Sequence, residues 1–216
     1  MRLVESLPGV NAVVVDAANG KLLKRIPTPP GGAHNTIASL DGSRIFLGLV
    51  QSKMPILDTK TNTIVQTVEF SSKVRPFTIN GAGTLIYANV NDLLGFEVGD
   101  VKTGKVIHRV EVSGFSWKFK ERYAADPGHG CPSHGIALSP DEKEVWVTDG
   151  VNGFLHVFDA TASPPKQIMS VRTRNAPFWV TWSVDGKYVY SSSGDIIDYA
   201  TKKIVTHLRD ETGTPV

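Results

Sequence analysis

Hydrophobic residues in this chain fall into short runs that are separated by clusters of turn residues. Four such runs follow one another between residues 134 and 171: Gly135–Ser139, Glu144–Thr148, Phe154–Phe158 and Lys166–Val171. No run is long enough, or spaced at three, four and seven residues, to form an amphipathic helix. The pattern predicts four short antiparallel strands, and a sheet of that size is stable only when it stacks on neighbours.

The same four-strand pattern recurs along the whole chain. The acidic residue that opens the turn between the third and fourth predicted strands returns about every 40 residues, with one longer interval, as Asp16, Asp58, Asp100, Asp159 and Asp198. A period of this size with four strands per repeat is typical of a β-propeller blade. A β-sandwich, the alternative, would not repeat its turn residues in register. We therefore predict an all-β fold, a β-propeller of about five four-stranded blades.

The repeats assign the whole chain to a single β-propeller domain, residues 1–216. The blades cover approximately 1–30, 34–70, 75–112, 134–171 and 177–208, with an insertion at 113–132. The first blade lacks its innermost strand. Either the tail after residue 208 supplies that strand, or the chain is a partial wheel of a larger propeller. The tail is poor in strand formers, which favours the partial wheel, and open blade edges would allow homo-oligomerisation.

One repeat resembles a known family. Residues 134–150 read H-G-I-A-L-S-P-D-E-K-E-V-W-V-T-D-G, and a hydrophobic strand and D-A-T follow them. This segment resembles the YVTN-type β-propeller repeat, as found in quinoprotein amine dehydrogenase-like and surface-protein propellers, although the other copies lack the tetrapeptide. Such propellers serve as binding, cell-surface and dehydrogenase-like proteins, so the resemblance implies a fold rather than an activity. It also implies a periplasmic or extracellular location if the N-terminus is truncated.

Composition and motifs exclude several functions. A formal net charge of +2 over 216 residues does not suggest nucleic-acid binding. Cys131 is the single cysteine, so no intrachain disulfide is possible, and no apolar stretch approaches the ~20 residues that span a membrane. No phosphate loop, nucleophile elbow, zinc-protease or dinucleotide motif is present. We expect Asp195 and Asp198 to be turn residues without a catalytic partner, and His108, His156 and His207 to be structural.

The insertion at 113–132 is long for a loop inside a compact domain. It carries four aromatic residues interleaved with charged ones: Phe115, Trp117, Phe119 and Tyr123. The order of strands in a propeller would place it near the mouth of the central channel. It is either a lid that packs on the fold or a surface for a ligand or partner, since aromatic and arginine side chains are common anchors of such sites.

A second group of candidate residues lies at the start of the innermost strands. Alignment of the repeats brings His34, Arg75, His134 and Phe178 to one position, and Trp179 follows the last of them. Two imidazoles and a guanidinium suit an anion or a carboxylate. The alternative is that the histidine belongs to the repeat pattern and hydrogen-bonds the backbone. We predict that His34, Arg75, Trp117, Tyr123, His134 and Trp179 bind a ligand.

The sequence therefore predicts a non-catalytic β-propeller binding module, with a protein or small-molecule ligand at the channel mouth and no cofactor. The alternative is a metalloprotein, or an oxidoreductase-like or hydrolase-like enzyme, that uses His34, His129, Cys131 and His134. The H-x-C-x-x-H pattern at 129–134 suits copper or zinc. Its spacing matches no standard zinc finger, however, and we predict that no metal is bound.

Overall fold

The computed structural model of the chain describes residues 2–6, 11–31, 33–117 and 130–215. Within these ranges every regular element is a β-strand and no helix occurs, which confirms the predicted all-β class. No helix in the described residues is therefore long and apolar enough to cross a membrane. The strands, in chain order, are β1 (Arg2–Ser6), β2 (Asn11–Asp16), β3 (Leu22–Pro27), β4 (Ala33–Ala38), β5 (Arg44–Leu49), β6 (Lys53–Asp58), β7 (Thr63–Glu69), β8 (Val74–Ile79), β9 (Leu85–Val90), β10 (Gly95–Asp100), β11 (Lys105–Glu111), β12 (Ile136–Leu138), β13 (Glu144–Asp149), β14 (Phe154–Asp159), β15 (Lys166–Arg172), β16 (Val180–Trp182), β17 (Tyr188–Ser191), β18 (Asp195–Asp198) and β19 (Ile204–His207).

Consecutive strands form up-and-down groups, here called meanders one to five. They consist of β1–β3, β4–β7, β8–β11, β12–β15 and β16–β19. Meanders two and three join into one eight-stranded sheet through β7 and β11, where Lys105 pairs with Glu69 in parallel. Meander one has three strands among the described residues, and meanders two to five have four each.

The chain divides into two compact units. The first unit comprises Met1–Val90 and Glu97–His108, and the second comprises Asn91–Phe96 and Arg109–Val216. A core of the first unit joins meanders one and two, and a core of the second joins meanders four and five. These cores contain Ala12, Val14, Ile26, Leu47 and Leu57 in the first unit, and Trp146, Leu155, Val157, Val180, Val189 and Ile197 in the second.

The aspartates that marked the repeat in the sequence shape the turns. Oδ1 of Asp58 accepts hydrogen bonds from the backbone N–H and the hydroxyl of Thr61, at 2.8 and 2.9 Å. Asp198 makes the same two bonds with Thr201, at 2.8 and 2.7 Å. Such side-chain bonds to the following backbone hold a tight turn closed. The repeated residues are therefore repeated because the turn needs them.

Asp195 differs from its predicted role as a turn residue. The turn ends at Gly194, so Asp195 is the first residue of β18 and is fully buried. Its Oδ2 accepts the backbone N–H of Arg174 at 2.8 Å and the hydroxyl of Ser193 at 2.7 Å. Its Oδ1 lies 2.7 Å from Nδ1 of His207. The expectation of a turn residue is wrong, because Asp195 lies within the third strand of its meander and is buried, as Glu97 and His156 are at the same place in theirs.

The turn aspartates predict acid-sensitive stability. Hydrogen bonds from the hydroxyl of Ser39, and from the backbone N–H and hydroxyl of Ser43, lower the pKa of Asp41 from 3.8 to about 2. Burial alone would raise the pKa of Asp141, but bonds from Ser139, Lys143 and Tyr199 outweigh it and lower that pKa to about 2 as well. A carboxyl with a depressed folded pKa stabilises the fold above its unfolded pKa and loses that contribution as the pH falls through the folded value. We expect the free energy of unfolding to fall between pH 4 and pH 2.

Asp141→Asn tests this assignment in chemical denaturation across that pH range. The variant should be less stable than the parent by about 1 kcal/mol at pH 7, because charged hydrogen bonds are lost. The difference should shrink towards pH 2, where about half of the parent carboxyl groups are protonated. A difference that is constant with pH would contradict the role of the carboxylate.

Candidate binding site

The aligned candidate residues occupy equivalent places within their own meanders. His34 lies at an irregularity of β4 between Ala33 and Asn35, and Arg75 at one of β8 between Val74 and Phe77. His134 and Phe178 stand two residues before β12 and β16. In each copy the residue therefore sits at the irregular start of the first strand, where regular pairing stops and side chains can turn away from the sheet.

The two candidates in the first unit are placed on neighbouring first strands, since β4 packs against β8. His34 is half-buried. Arg75 is only 5% exposed, although it follows the same irregularity. A guanidinium this deeply buried has little surface to offer a ligand, so its burial favours a structural role.

The second unit brings His134 and Trp179 together. Their rings meet edge to face, with centroids 5.4 Å apart, and the Phe178 ring lies 6.5 Å from His134. Trp179 is 50% exposed and Phe178 is 39% exposed. We call His134, Phe178 and Trp179 the aromatic cluster.

The backbone beneath the aromatic cluster is fixed by short contacts. The hydroxyl of Ser192 accepts the backbone N–H groups of both Phe178 and Trp179, at 2.8 and 3.0 Å. Gly150 allows the Phe178 ring to lie across its turn, because a Cβ there would stand 3.0 Å from that ring. The two exposed rings are therefore carried on a well-held backbone, which limits the entropy lost when a ligand binds.

The described start of the insertion packs on the outer strands of meander four. Phe115 contacts Phe154 and His156, with ring centroids 4.8 and 4.7 Å apart, and Asn152 donates to the carbonyl of Ser116 at 3.3 Å. Trp117 is half-buried and lines a pocket of about 120 Å³ together with Asp92, Leu94 and Glu111. The predicted site residue Tyr123 lies outside the described residues, as do Phe119 and His129.

A buried polar chain beneath Phe115 did not emerge as a unit from the sequence. Nε2 of His156 lies 3.1 Å from Oδ2 of Asp149, and its Nδ1 lies 2.8 Å from the hydroxyl of Ser170. Because a carboxylate only accepts, Nε2 carries the proton in the neutral ring, and Nδ1 accepts from Ser170. Burial alone would raise the pKa of Asp149, but hydrogen bonds from His156 and Asn152 outweigh it and lower that pKa.

The buried polar residues His156, Asp149 and Ser170 stabilise the sheet and do not form a hydrolytic triad. The side chains of His156 and Asp149 are fully buried, and Ser170 is also held by Gln167 Nε2 at 3.2 Å. In serine hydrolases the nucleophile bonds to Nε2 of the histidine and the carboxylate to Nδ1, which is the reverse of the arrangement seen in this chain. His156 therefore has the structural role that its position inside a strand predicts.

Comparison of the meanders shows how the sequence marks the position of His156 in the third strand. Glu97, His156 and Asp195 stand at the same distance before the turn aspartates of their third strands. In meanders three and five the carboxylate accepts a backbone N–H from the connection that precedes the meander, from Ser71 at 3.0 Å and Arg174 at 2.8 Å. In meander four the preceding connection is the long insertion, and a histidine replaces the carboxylate. Alignment of the third strands would have exposed this exchange.

The cysteine of the H-x-C-x-x-H pattern is engaged by the backbone. Cys131 is 2% exposed, and its thiol donates to the carbonyl oxygen of Ser133 at 2.9 Å. Among the described residues, no group of three or more histidine, cysteine or acidic side chains could hold a metal ion. His129 lies outside those residues, so the expectation of no bound metal stays a prediction.

The all-β meanders and their repeated turns define a protein with a β-propeller-like fold. No family model matches the chain, and no curated protein matches it. It is similar to a chain of hydrazine synthase from Kuenenia stuttgartiensis, a β-propeller-containing protein, with a TM-score of 0.66 and 22% sequence identity. The match covers 89% of this chain and 54% of that one. At 22% sequence identity the likeness shows the fold alone.

The buried polar chain predicts effects on stability without catalysis. His156→Ala leaves the Asp149 carboxylate buried without its partner and opens a cavity, so we expect a loss of at least ~2 kcal/mol in the free energy of unfolding. Ser170→Ala should cost about 1 kcal/mol. A fluorophosphonate probe should not label the folded chain. Labelling that Ser170→Ala abolishes would instead assign a nucleophile.

Proposed function

We propose that the chain is a non-catalytic β-propeller binding module, built from about five blades of YVTN type, possessing no cofactor and binding a protein or a small ligand. The observation that carries this proposal is the aromatic cluster. Its two large rings, Phe178 and Trp179, are adjacent and remain 39% and 50% exposed on a fixed backbone, whereas Trp146 is completely buried. Exposed aromatic side chains of this kind are typical anchors of interfaces and ligand sites.

The position of the cluster in the repeat supports the proposal. His134, Phe178 and Trp179 lie at the starts of first strands, where a propeller presents side chains at its channel mouth. The edge-to-face contact orients the Trp179 ring and leaves half of its surface for a ligand. Ligand binding by His34, Arg75, Trp117 and Tyr123 stays a prediction from the sequence, and the burial of Arg75 weighs against its part in it.

A panel of peptides and saccharides immobilised on an array tests the proposal. A bound member should lose at least about tenfold in affinity with Trp179→Ala, because truncation of an aromatic anchor costs more than about 1.4 kcal/mol. Tyr188→Ala is the matched control, since Tyr188 is an aromatic residue of meander five that is 38% exposed but lies outside the cluster. Equal losses for both variants, or unchanged affinity with Trp179→Ala, would contradict the proposed site.

The alternative proposal, a metalloprotein that uses His34, His129, Cys131 and His134, has its own test. Cys131 would have to give up its bond to Ser133 and become a thiolate. We expect elemental analysis of the purified chain to show no stoichiometric copper or zinc. A stoichiometric signal that is lost in both Cys131→Ser and His134→Ala would establish the metal site and displace the binding-module proposal.

A further inference from the structure

A position between meanders four and five of the second unit is filled by two side chains. Lys202 Nζ lies 2.8 Å from Glu144 Oε1 and 3.8 Å from the centre of the Tyr199 ring. The hydroxyl of Tyr199 donates to Asp141 at 3.0 Å, and its ring meets Trp182 edge to face at 4.9 Å. We call Tyr199 and Lys202 the plug, because together they fill the space between the two meanders at their turns.

The plug lysine occupies a turn position whose backbone favours glycine. Lys202 has a backbone φ of 60°, in the left-handed region that favours glycine. The corresponding residues of three other turns have the same sign of φ, and two of them are glycines: Gly20, Asn62 and Gly104. The energetic cost of a lysine in this conformation is offset by its contacts, because the side chains of Lys202 and Glu144 are both only 13% exposed.

The first unit has the same position between meanders two and three, but without a plug. Counting from the turn aspartates, Val101 stands where the second unit has Tyr199, and Gly104 where it has Lys202. Arg44 stands where the second unit has Glu144. A Cβ on Gly104 would lie 2.7 Å from the carbonyl oxygen of Thr67, so no longer side chain fits there without a backbone shift.

Where the second unit has the plug, the first unit has a groove of about 720 Å³. Its lining includes Leu40, Asp41, Arg44, Val65, Gly83 and Lys102. Leu40 is 87% exposed and Val65 is 51% exposed, so apolar surface faces the groove from two sides. We call this space the turn groove. It lies at the ends of the β4 and β8 strands opposite to His34 and Arg75.

The charges of the turn groove are reversed relative to the plugged position. Glu144 there binds a cation, whereas Arg44 and Lys102 here face a single carboxylate, Asp41. Oδ1 of Asp41 accepts from the hydroxyls of Ser39 and Ser43 at 2.6 and 2.8 Å. In the second unit the equivalent carboxylate, Asp141, also accepts from the hydroxyl of Tyr199, at 3.0 Å to Oδ1 and 3.3 Å to Oδ2.

We propose that the turn groove is a second ligand site, which binds a small organic anion with a phenolic ring. The ring occupies the room that Tyr199 fills in the second unit and lies against Leu40 and Val65. The phenol hydroxyl donates to Asp41, as the hydroxyl of Tyr199 does to Asp141. The ligand's carboxylate pairs with the guanidinium of Arg44, which suits a planar carboxylate in a bidentate contact. This site is independent of the aromatic cluster and goes beyond the proposed function.

Titration with 3-(4-hydroxyphenyl)propionate tests the site, with the amide signals of the labelled chain followed by NMR. We expect saturable shifts at Gly83 and Lys102. Arg44→Glu, which introduces the residue of the plugged position, should weaken binding at least tenfold, and Leu40→Ser at least threefold. Lys73→Glu makes the same charge change at an exposed position outside the groove and should alter binding less than twofold.

Two further probes decide between this site and simple anion binding. The methyl ester of the probe should bind at least tenfold more weakly, because it lacks the charge that pairs with Arg44. Inorganic phosphate should not compete at equal concentration. Shifts that are absent at Gly83 and Lys102, equal binding by Arg44→Glu, or equal binding of phosphate would each overturn the proposal. Thermal melts of the variants check that each is folded, and Leu40→Ser alters only an exposed side chain.

Discussion

The two inner strands of meanders two, three and four are buried on both faces over most of their length, and the rest of the structure depends on covering both. The central strand β13 is buried at all but its first residue, and Trp146 in its middle has no exposed surface. Full burial of one large apolar side chain is worth about 1.5–3 kcal/mol, so a meander alone would leave much of its stabilisation unrealised. Stacking of neighbouring meanders within each unit is therefore a condition for folding, and it explains why the sequence repeats.

Stacking also explains where the repeats are free to differ. Strand interiors must keep their apolar character, whereas the turns and strand starts need only preserve the backbone path. The aromatic cluster and the turn groove both lie at such ends. The clearest case is one pair of turn positions in the two units, which have the same turn geometry. Tyr199 and Lys202 fill the space beside the turn in the second unit, whereas Val101 and Gly104 leave it open in the first. Variation at the ends of repeated sheets is a common way for a repeat fold to acquire sites.

Much of the fold could be predicted from the sequence because the residues that form its turns interact with close neighbours in the chain. Asp58 and Asp198 bond to residues two or three positions away, so the turn signal is complete in a short segment. The strand alternation and the number of strands per repeat followed from the same short segments. Asp195 escaped prediction because its partners Arg174 and His207 come from the connection before meander five and from β19, which no local pattern shows.

The candidate sites were less accessible to sequence reasoning for a related reason. The alignment placed His134 and Phe178 at equivalent positions, but it could not show that Arg75 is buried while Trp179 is half-exposed. Exposure depends on the neighbouring meander rather than on the residue's own strand. The turn groove was also invisible, because it arises from side chains that are small or absent.

Hydroxyl-radical footprinting, read residue by residue in the free chain and in the presence of a bound array ligand, tests the central claim most directly. The account predicts strong modification of Trp179 in the free chain and almost none of Trp146, since one indole is 50% exposed and the other is fully buried. It further predicts that the ligand protects Trp179 and Phe178 while Tyr188 continues to react. A free chain in which Trp179 resists modification, or a ligand that leaves Trp179 and Phe178 as reactive as before, would contradict it.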